Sequence, residues 1–495
     1  MPDLLVDIDS ARDGAPLYQR IADSIRADVL AGRLRRGERV PSTRTLAREL
    51  RVNRNTVAQA YDQLIAEGFL AGRHGSGTYV ADELPQASFS VRRARQNQRP
   101  LRRVALANTP TPPDFYRRVL QPDDNKPFKA GYLDLRLGAP DVDAFPLRNW
   151  RRMVGNQLLV ARRNRMNYGS AYGMQELREA IAAYLGRARG IDCTHRNVLI
   201  TSGSQQGLWL AASLLVDKGE EVLVEDPGYL GARSSFEALH AKLLPVPVDG
   251  EGANPAAVVR AINRGAKPKL LHLTPSHQYP TGVSLSAGRR MELLELAARH
   301  GFMIVEDDYD SEFRYEGRPL RALAGIDQHG VVIYVGSFSK VMYPSLRVGY
   351  VVAPHWLIDA MVGLRWHIDF MPPMLESAAL AQFIAEGHFE RHLRRMRTLY
   401  ADKRDALVGV LRRKLPAVLP DPLPPGGMKL VLHVPRHLTR QQAKEKAEHA
   451  GVRVYDQSVC HFDPAGAPET LTIGFTALPV RQVTEAAERL AGAWA

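Results

Sequence analysis

From Tyr132 onward, short apolar runs alternate with helical stretches, and this alternation restricts the fold more than any other feature of the chain. The runs read VLITS, EVLVEDP, KLLHLTPS, FMIVEDDYD, VVIYVGSFSK and GYVVAP. Strands of this kind interleaved with helices predict an α/β domain with a largely parallel sheet. In such sheets ligands bind beyond the carboxyl ends of the strands. The polar clusters of this sequence sit at those ends.

There are four clusters. Thr201-Ser202-Gly203-Ser204-Gln205-Gln206-Gly207 joins a strand to the helical stretch LWLAASLLV and offers free N–H groups and hydroxyls to a phosphate. Asp226-Pro227-Gly228-Tyr229 presents an aromatic ring after the next strand. Glu306-Asp307-Asp308-Tyr309-Asp310 places three acids in a row at a strand end. Burying unpaired charge is costly, so these acids need a nearby cation or must face water. The last cluster is Lys340, with Ser337 and Ser339 before it and Arg347 after it. A glycine-serine turn or a tyrosine alone is common and points nowhere. Together the clusters supply an amine to form an imine, a carboxylate for a pyridinium nitrogen, a phenol near a ring hydroxyl, an aromatic stack, and hydroxyls plus an arginine for a phosphate. Pyridoxal phosphate is the ligand that uses all of these. Metal binding is not expected, because Cys193 and Cys460 are far apart and lack metal-ligand spacing.

The first eighty residues have another texture. Leu17, Ile21, Ile25 and Val29 repeat every four residues until Gly32, which predicts an amphipathic helix. VPSTRTLARELRV starts a second helix at Ser42, with Leu46, Ala47 and Leu50 inward. Asn53 caps a third, in which Val57, Ala60, Tyr61, Leu64 and Ile65 are expected inside and Arg54, Asn55, Thr56 and Gln59 outside. FLAGRHGSGTYVA then reads as a hairpin with a tip at Gly75 to Gly77 and with Arg73 and His74 on it. Two short helices joined by a tight turn, followed by a hairpin, make a winged helix-turn-helix. Arg reads guanine edges, Asn and Gln read adenine, and the helix start meets phosphate. Charge agrees. Of the net +13, residues 14–103 carry +9, from 17 Arg and no Lys against 8 Asp plus Glu. A local excess of this size attracts a polyanion.

PLYQRIADSI, VPSTRTLARELRVNRNTVAQAYDQLIAEGFL and HGSGTYV resemble the GntR-type winged-helix domain. That resemblance spans residues 14–82 and implies DNA contacts from Arg44, Arg54, Asn55, Thr56 and Gly75. TSGSQQGL, VEDPGY, TPSHQYPTG, VEDDYDSEFRYEG and GSFSKVMYPSLRVGY resemble a fold type I aminotransferase over residues 131–495. Residues 83–130, basic and Pro-containing, are expected to link the two. The whole chain is similar to the MocR/GabR-type regulators, in which a GntR winged helix is fused to an aminotransferase-like domain. The resemblance implies Lys340 for the imine, Asp307 for the ring nitrogen, Tyr309 for the ring hydroxyl and Tyr229 for stacking. It implies Ser204, Gln205, Ser337, Ser339 and Arg347 for the phosphate, and Tyr168 reaching a partner subunit's phosphate in a homodimer. It implies double-stranded operator DNA as partner, and PLP itself or an amine or amino acid that reacts at Lys340 as effector. A PLP-dependent aminotransferase with an accessory DNA-binding domain is the alternative.

Two departures favour the regulator. Tyr279 stands in HQYPTG where classical aminotransferases carry asparagine, and Thr472 stands in LTIGFTA where the carboxylate-binding arginine is usual. No Arg lies between Arg453 and Arg481, so the standard grip on an α-carboxylate is absent. The acidic N-terminus does not resemble a signal peptide, and no apolar run nears the ~20 residues of a membrane span, so a cytoplasmic protein is expected.

Overall fold

The computed structural model describes residues 16–73, 76–84, 131–160, 167–317 and 320–495. The chain divides into two compact units, Met1–Thr109 and Pro110–Ala495. Apart from residues 83 and 84, the expected linker lies outside the described residues, as do His74 and Gly75.

In the first unit, α1 (Leu17–Leu30), α2 (Thr43–Glu49) and α3 (Arg54–Ala66) precede the antiparallel hairpin of β1 (Leu70–Arg73) and β2 (Gly77–Val80). The helix starts are set locally. Ser42 Oγ accepts the Thr45 N–H at 3.1 Å, and Asn53 Oδ1 accepts the Asn55 N–H at 2.9 Å. Ile21, Ile25, Val29, Leu46, Val57, Tyr61 and Leu64 close one core with Leu70 and Val80 of the hairpin. Tyr61 Oη donates to the Pro41 carbonyl at 2.8 Å and ties α3 to the entry of α2. Ile65 departs from expectation and is 40% exposed. At ~100° per residue it lies at the edge of the stripe formed by Val57, Ala60, Tyr61 and Leu64, which already fills the core.

The second unit is built on an eight-stranded sheet of order β4-β11-β10-β9-β8-β5-β6-β7. Its strands are β4 (Val198–Thr201), β5 (Glu221–Asp226), β6 (Lys242–Asp249), β7 (Gly252–Ala253), β8 (Pro268–Leu273), β9 (Met303–Asp308), β10 (Val332–Ser337) and β11 (Gly349–Val352). The run from β10 through β9, β8 and β5 to β6 is parallel, whereas β11 is antiparallel to both β10 and β4. The return from β10 to β11 spans only Phe338–Val348, too little for the crossover helix a parallel neighbour needs. β6 was not evident from sequence because Pro245 and Pro247 break its pattern. It tolerates them by lying near the sheet edge, flanked outward only by the two residues of β7.

Both sheet faces are covered. Val305 and Ile333 pack with Leu208 of the helix Ser204–Leu215, while Ile304 and Leu271 pack with Leu293 of the helix Ala287–His300. A further layer pairs β12 (Lys429–His433) with β14 (Thr470–Gly474), and β13 (Val452–Arg453) with β3 (Leu133–Asp134). The helices His388–Lys414 and Val480–Trp494 share a core with these strands. Among the described residues no helix is long and apolar enough to cross a membrane.

Candidate functional site

The carboxyl ends of β5, β8, β9 and β10 lie along one rim of the sheet, and a cavity of about 160 Å³ opens beside them. Ser204, Tyr229, Asp307, Tyr309 and Lys340 line it, so five of the expected residues, drawn from all four clusters, meet in one place. Lys340 stands in the short β10-to-β11 return. The cavity wall leaves it little water, which lowers its pKa, against the opposing pull of Asp310 and Asp307.

The acids at the end of β9 divide by strand parity. Glu306 is fully buried and accepts the N–H groups of Leu323 and Ala324, both at 2.8 Å. Asp308 meets Arg189 at 2.7 Å, and Tyr334 Oη donates to it at 2.7 Å. Arg189 is thus the cation that a buried acid run requires. Asp307 points to the other face and into the cavity, where its Oδ1 is buried without a hydrogen-bond partner and its Oδ2 is 3.6 Å from His272 Nε2. Asp310 accepts from His277 Nδ1 at 2.8 Å.

Tyr309 Oη donates to the His277 carbonyl at 2.6 Å and receives Lys429 Nζ at 2.5 Å. Burial pushes the Tyr309 phenol far above its ordinary pKa, and pushes Tyr229 up to about 12 with help from the Asp307 charge. Tyr279 lines the cavity, with its ring 5.4 Å from that of Tyr229 and its Oη donating to Gln457 Oε1 at 2.8 Å.

At the start of the helix Ser204–Leu215, Gly203 adopts φ 91°, and a Cβ there would meet the Arg347 guanidinium at 3.0 Å. Only glycine allows so close an approach. Arg347 itself holds a left-handed φ of 52° and donates to the Ser202 carbonyl at 2.8 Å. Ser337 Oγ accepts the Ser339 N–H at 3.1 Å in the turn that carries Lys340. The Gln205 side-chain amide is engaged with Gly231 and Ser235, at 2.8 and 2.7 Å. Tyr168 does not line the cavity. It is 81% exposed and stands 5.8 Å, centroid to centroid, from the ring of Phe370, itself 42% exposed.

Sequence reasoning missed Arg189, His277 and Lys429. Nothing local marks the first two. Lys429 had a readable signal, a lone lysine entering the apolar run LVLHV after two glycines.

In the winged helix, Arg44, Arg54 and Asn55 are exposed and Thr56 is half-buried. Arg54, Asn55 and Thr56 form the first turn of α3, directly after the Asn53 cap. Arg73 on β1 pairs with Asp82 at 3.1 Å and lies over the Tyr79 ring.

Residues 17–80 match the bacterial regulatory proteins of the gntR family, and residues 131–490 match aminotransferase class I and II. The probable rhizopine catabolism regulatory protein MocR of Rhizobium meliloti is 38% identical over 440 residues, 88% of this chain and 85% of that protein. The chain is a MocR-type regulator of the gntR family. The HTH-type transcriptional regulator TauR of Rhodobacter capsulatus is 35% identical, across 79% of this chain and 78% of its own. Among solved structures, the α-aminoadipate aminotransferase LysN of Thermus thermophilus, complexed with N-(5'-phosphopyridoxyl)-L-leucine, superposes with a TM-score of 0.69 at 28% identity. That match covers 77% of this chain and 96% of LysN. The MocR-type architecture therefore joins a DNA-binding winged helix to an aminotransferase-like domain, whose class implies pyridoxal phosphate.

The cavity fits that cofactor on its own terms. An unpartnered buried carboxylate oxygen awaits a donor at Asp307, and a Cβ on Gly138 would reach within 2.9 Å of Lys340 Nζ, closing the space around the amine.

Proposed function

We propose that this regulator senses a small molecule at Lys340 and reports it to operator DNA through the winged helix. The observation that carries the reading is the meeting of Lys340 with Asp307, Tyr309 and Tyr229 in one buried cavity of a DNA-binding protein. When bound, pyridoxal phosphate supplies an aldehyde that bonds amines and a ring that withdraws electrons when its nitrogen is protonated. Lys340 Nζ is the resident amine, and its lowered pKa favours the neutral, nucleophilic form. Asp307 Oδ1 would accept a hydrogen bond from the protonated ring nitrogen. Tyr309 Oη would meet the ring hydroxyl, and Tyr229 would stack on the ring. Ser204, Gln205, Ser337, Ser339 and Arg347 would receive the phosphate at the helix start.

The signal is either arrival of the cofactor itself or an effector amine taking the place of Lys340. Tyr168, exposed beside Phe370, whose ring also packs with Trp366, suits a homodimer in which it completes the partner subunit's phosphate site. A dimer also pairs the winged helices, so their spacing selects operator half-sites. In this reading Arg44, Arg54, Asn55, Thr56 and Gly75 make the DNA contacts, and work on operator DNA suits a cytoplasmic protein.

The test is a mobility-shift titration on the DNA upstream of its own gene, at fixed salt, with the cofactor removed and then restored. The parent's affinity or band pattern is expected to change with cofactor or with an amine. Lys340→Ala is expected to keep DNA affinity and lose the amine response. Equal amine responses in parent and variant would sink this reading.

A further inference from the structure

The usual arginine is missing at Thr472, yet the cavity contains a second cation besides Lys340. Lys429 begins β12, and Lys429 pairs with Gly474 while Val431 pairs with Thr472. Directly paired residues share a face of the ladder, so Lys429 and the Thr472 position lie on the same face of neighbouring strands. A positive group stands on the neighbouring strand.

The setting of Lys429 is specific. It is 4% exposed and lines the cavity with Lys340. Its Nζ donates to Tyr309 Oη at 2.5 Å and lies 5.0 and 4.9 Å from the ring centres of Tyr279 and Tyr309. Among the described residues no salt bridge joins it to a carboxylate; Asp310 on the cavity wall attracts it without a direct contact, and Asp310 Oδ1 accepts from His277. A buried ammonium with no directly paired carboxylate is unfavourable to fold around. Aromatic faces and one phenol ease that cost without neutralising the charge.

We propose that Lys429 receives the acidic group of an effector that also carries an amine, so that the cavity selects a small amino acid over a plain amine. This rests on the effector reading above and adds to it the chemistry at the other end of the ligand. Lys340 meets the amine, and Lys429 meets the acid. A role limited to propping Tyr309 would alter responses to every amine alike.

The experiment uses the full chain loaded with pyridoxal phosphate and reads the cofactor's absorbance. Three matched pairs are titrated: alanine against isopropylamine, β-alanine against propylamine, and γ-aminobutyrate against butylamine. Each pair differs only by a carboxylate replaced by methyl. In at least one pair the parent is expected to respond to the acid at about tenfold lower concentration, the scale of one charge-assisted contact. In Lys429→Met that ratio is expected to collapse to within about twofold, and in Lys429→Arg to return, since either cation can receive the acid. If Lys429→Met does not fold, Lys429→Gln replaces it. A parent that treats both members of every pair alike overturns the proposal, as does a neutral variant that keeps the preference. A parent that loads the cofactor and answers none of the six compounds instead overturns the amine-effector reading beneath it.

Discussion

Arg54 and Asp307 show how differently the two units hold the groups proposed to act. Arg54 stands exposed on the first turn of α3, positioned by the Asn53 cap beside it. Asp307 is 4% exposed, at the end of a central strand, facing a cavity whose other walls come from residues as distant as Gly138 and Lys429. The DNA face is assembled by neighbours in sequence and stays in water, so its side chains cost the fold little. The ligand cavity is assembled across the chain and buries its charges, so they strain the unit that carries them. Substitutions in the first region should therefore change binding and leave stability alone, while those in the second should change stability.

The largest effect is expected at Arg189. Removing it by Arg189→Met leaves Asp308 buried with only hydroxyl donors, and should cost the larger unit about 3–5 kcal/mol. Calorimetry on the full chain checks this, and a loss below about 1 kcal/mol would show that Asp308 does not depend on that cation.

Lys429 should act with the opposite sign. Burial lowers its pKa from 10.5 to about 8, so the unfolded chain holds that proton more tightly than the folded one. The resulting penalty is full below a pH of about 8 and fades as pH rises toward 10.5. Lys429→Met is expected to stabilise the cofactor-free protein by about 3 kcal/mol at neutral pH, with the gain shrinking at alkaline pH. Urea unfolding across that range measures it. A variant less stable than the parent at pH 7 would mean that the Tyr309 contact outweighs the buried charge.

The DNA face should give smaller numbers and a different readout. Arg54→Ala is expected to weaken operator binding by about 1–3 kcal/mol if it reads a base, with the melting curve unmoved. A shift of less than twofold in the binding midpoint would remove it from the interface. Smallest is Ser42→Ala, which deletes the cap on α2 and should cost that helix about 1 kcal/mol. Hydrogen exchange at the α2 amides reports it, and unchanged protection would show that packing of Leu46 and Ala47, not the cap, sets the helix start.

The winged helix was almost wholly readable from sequence, because four-residue periodicity and Ser or Asn caps act within a few residues. Ile65 was the exception. Periodicity marks a stripe but does not say how wide the core is, and here Leu64 and Tyr61 fill it first. In the larger unit the apolar runs identified the strands that a parallel sheet buries, but Pro245 and Pro247 hid β6, whose edge-side place makes them tolerable.

The cavity divides in the same way. Its strand-end clusters placed Lys340, Asp307, Tyr309, Tyr229 and Ser204 together before any coordinates did, because strand ends in one parallel sheet must share a rim. What tertiary structure alone decided was which charges neutralise one another. Arg189 reaches Asp308 and His277 reaches Asp310, whereas Lys429 stands in the cavity on the strand next to Thr472. Those pairings depend on how distant segments cross in space. The sequence determines strands, caps and clusters through short-range periodicity, but only the folded chain decides which buried charge meets which.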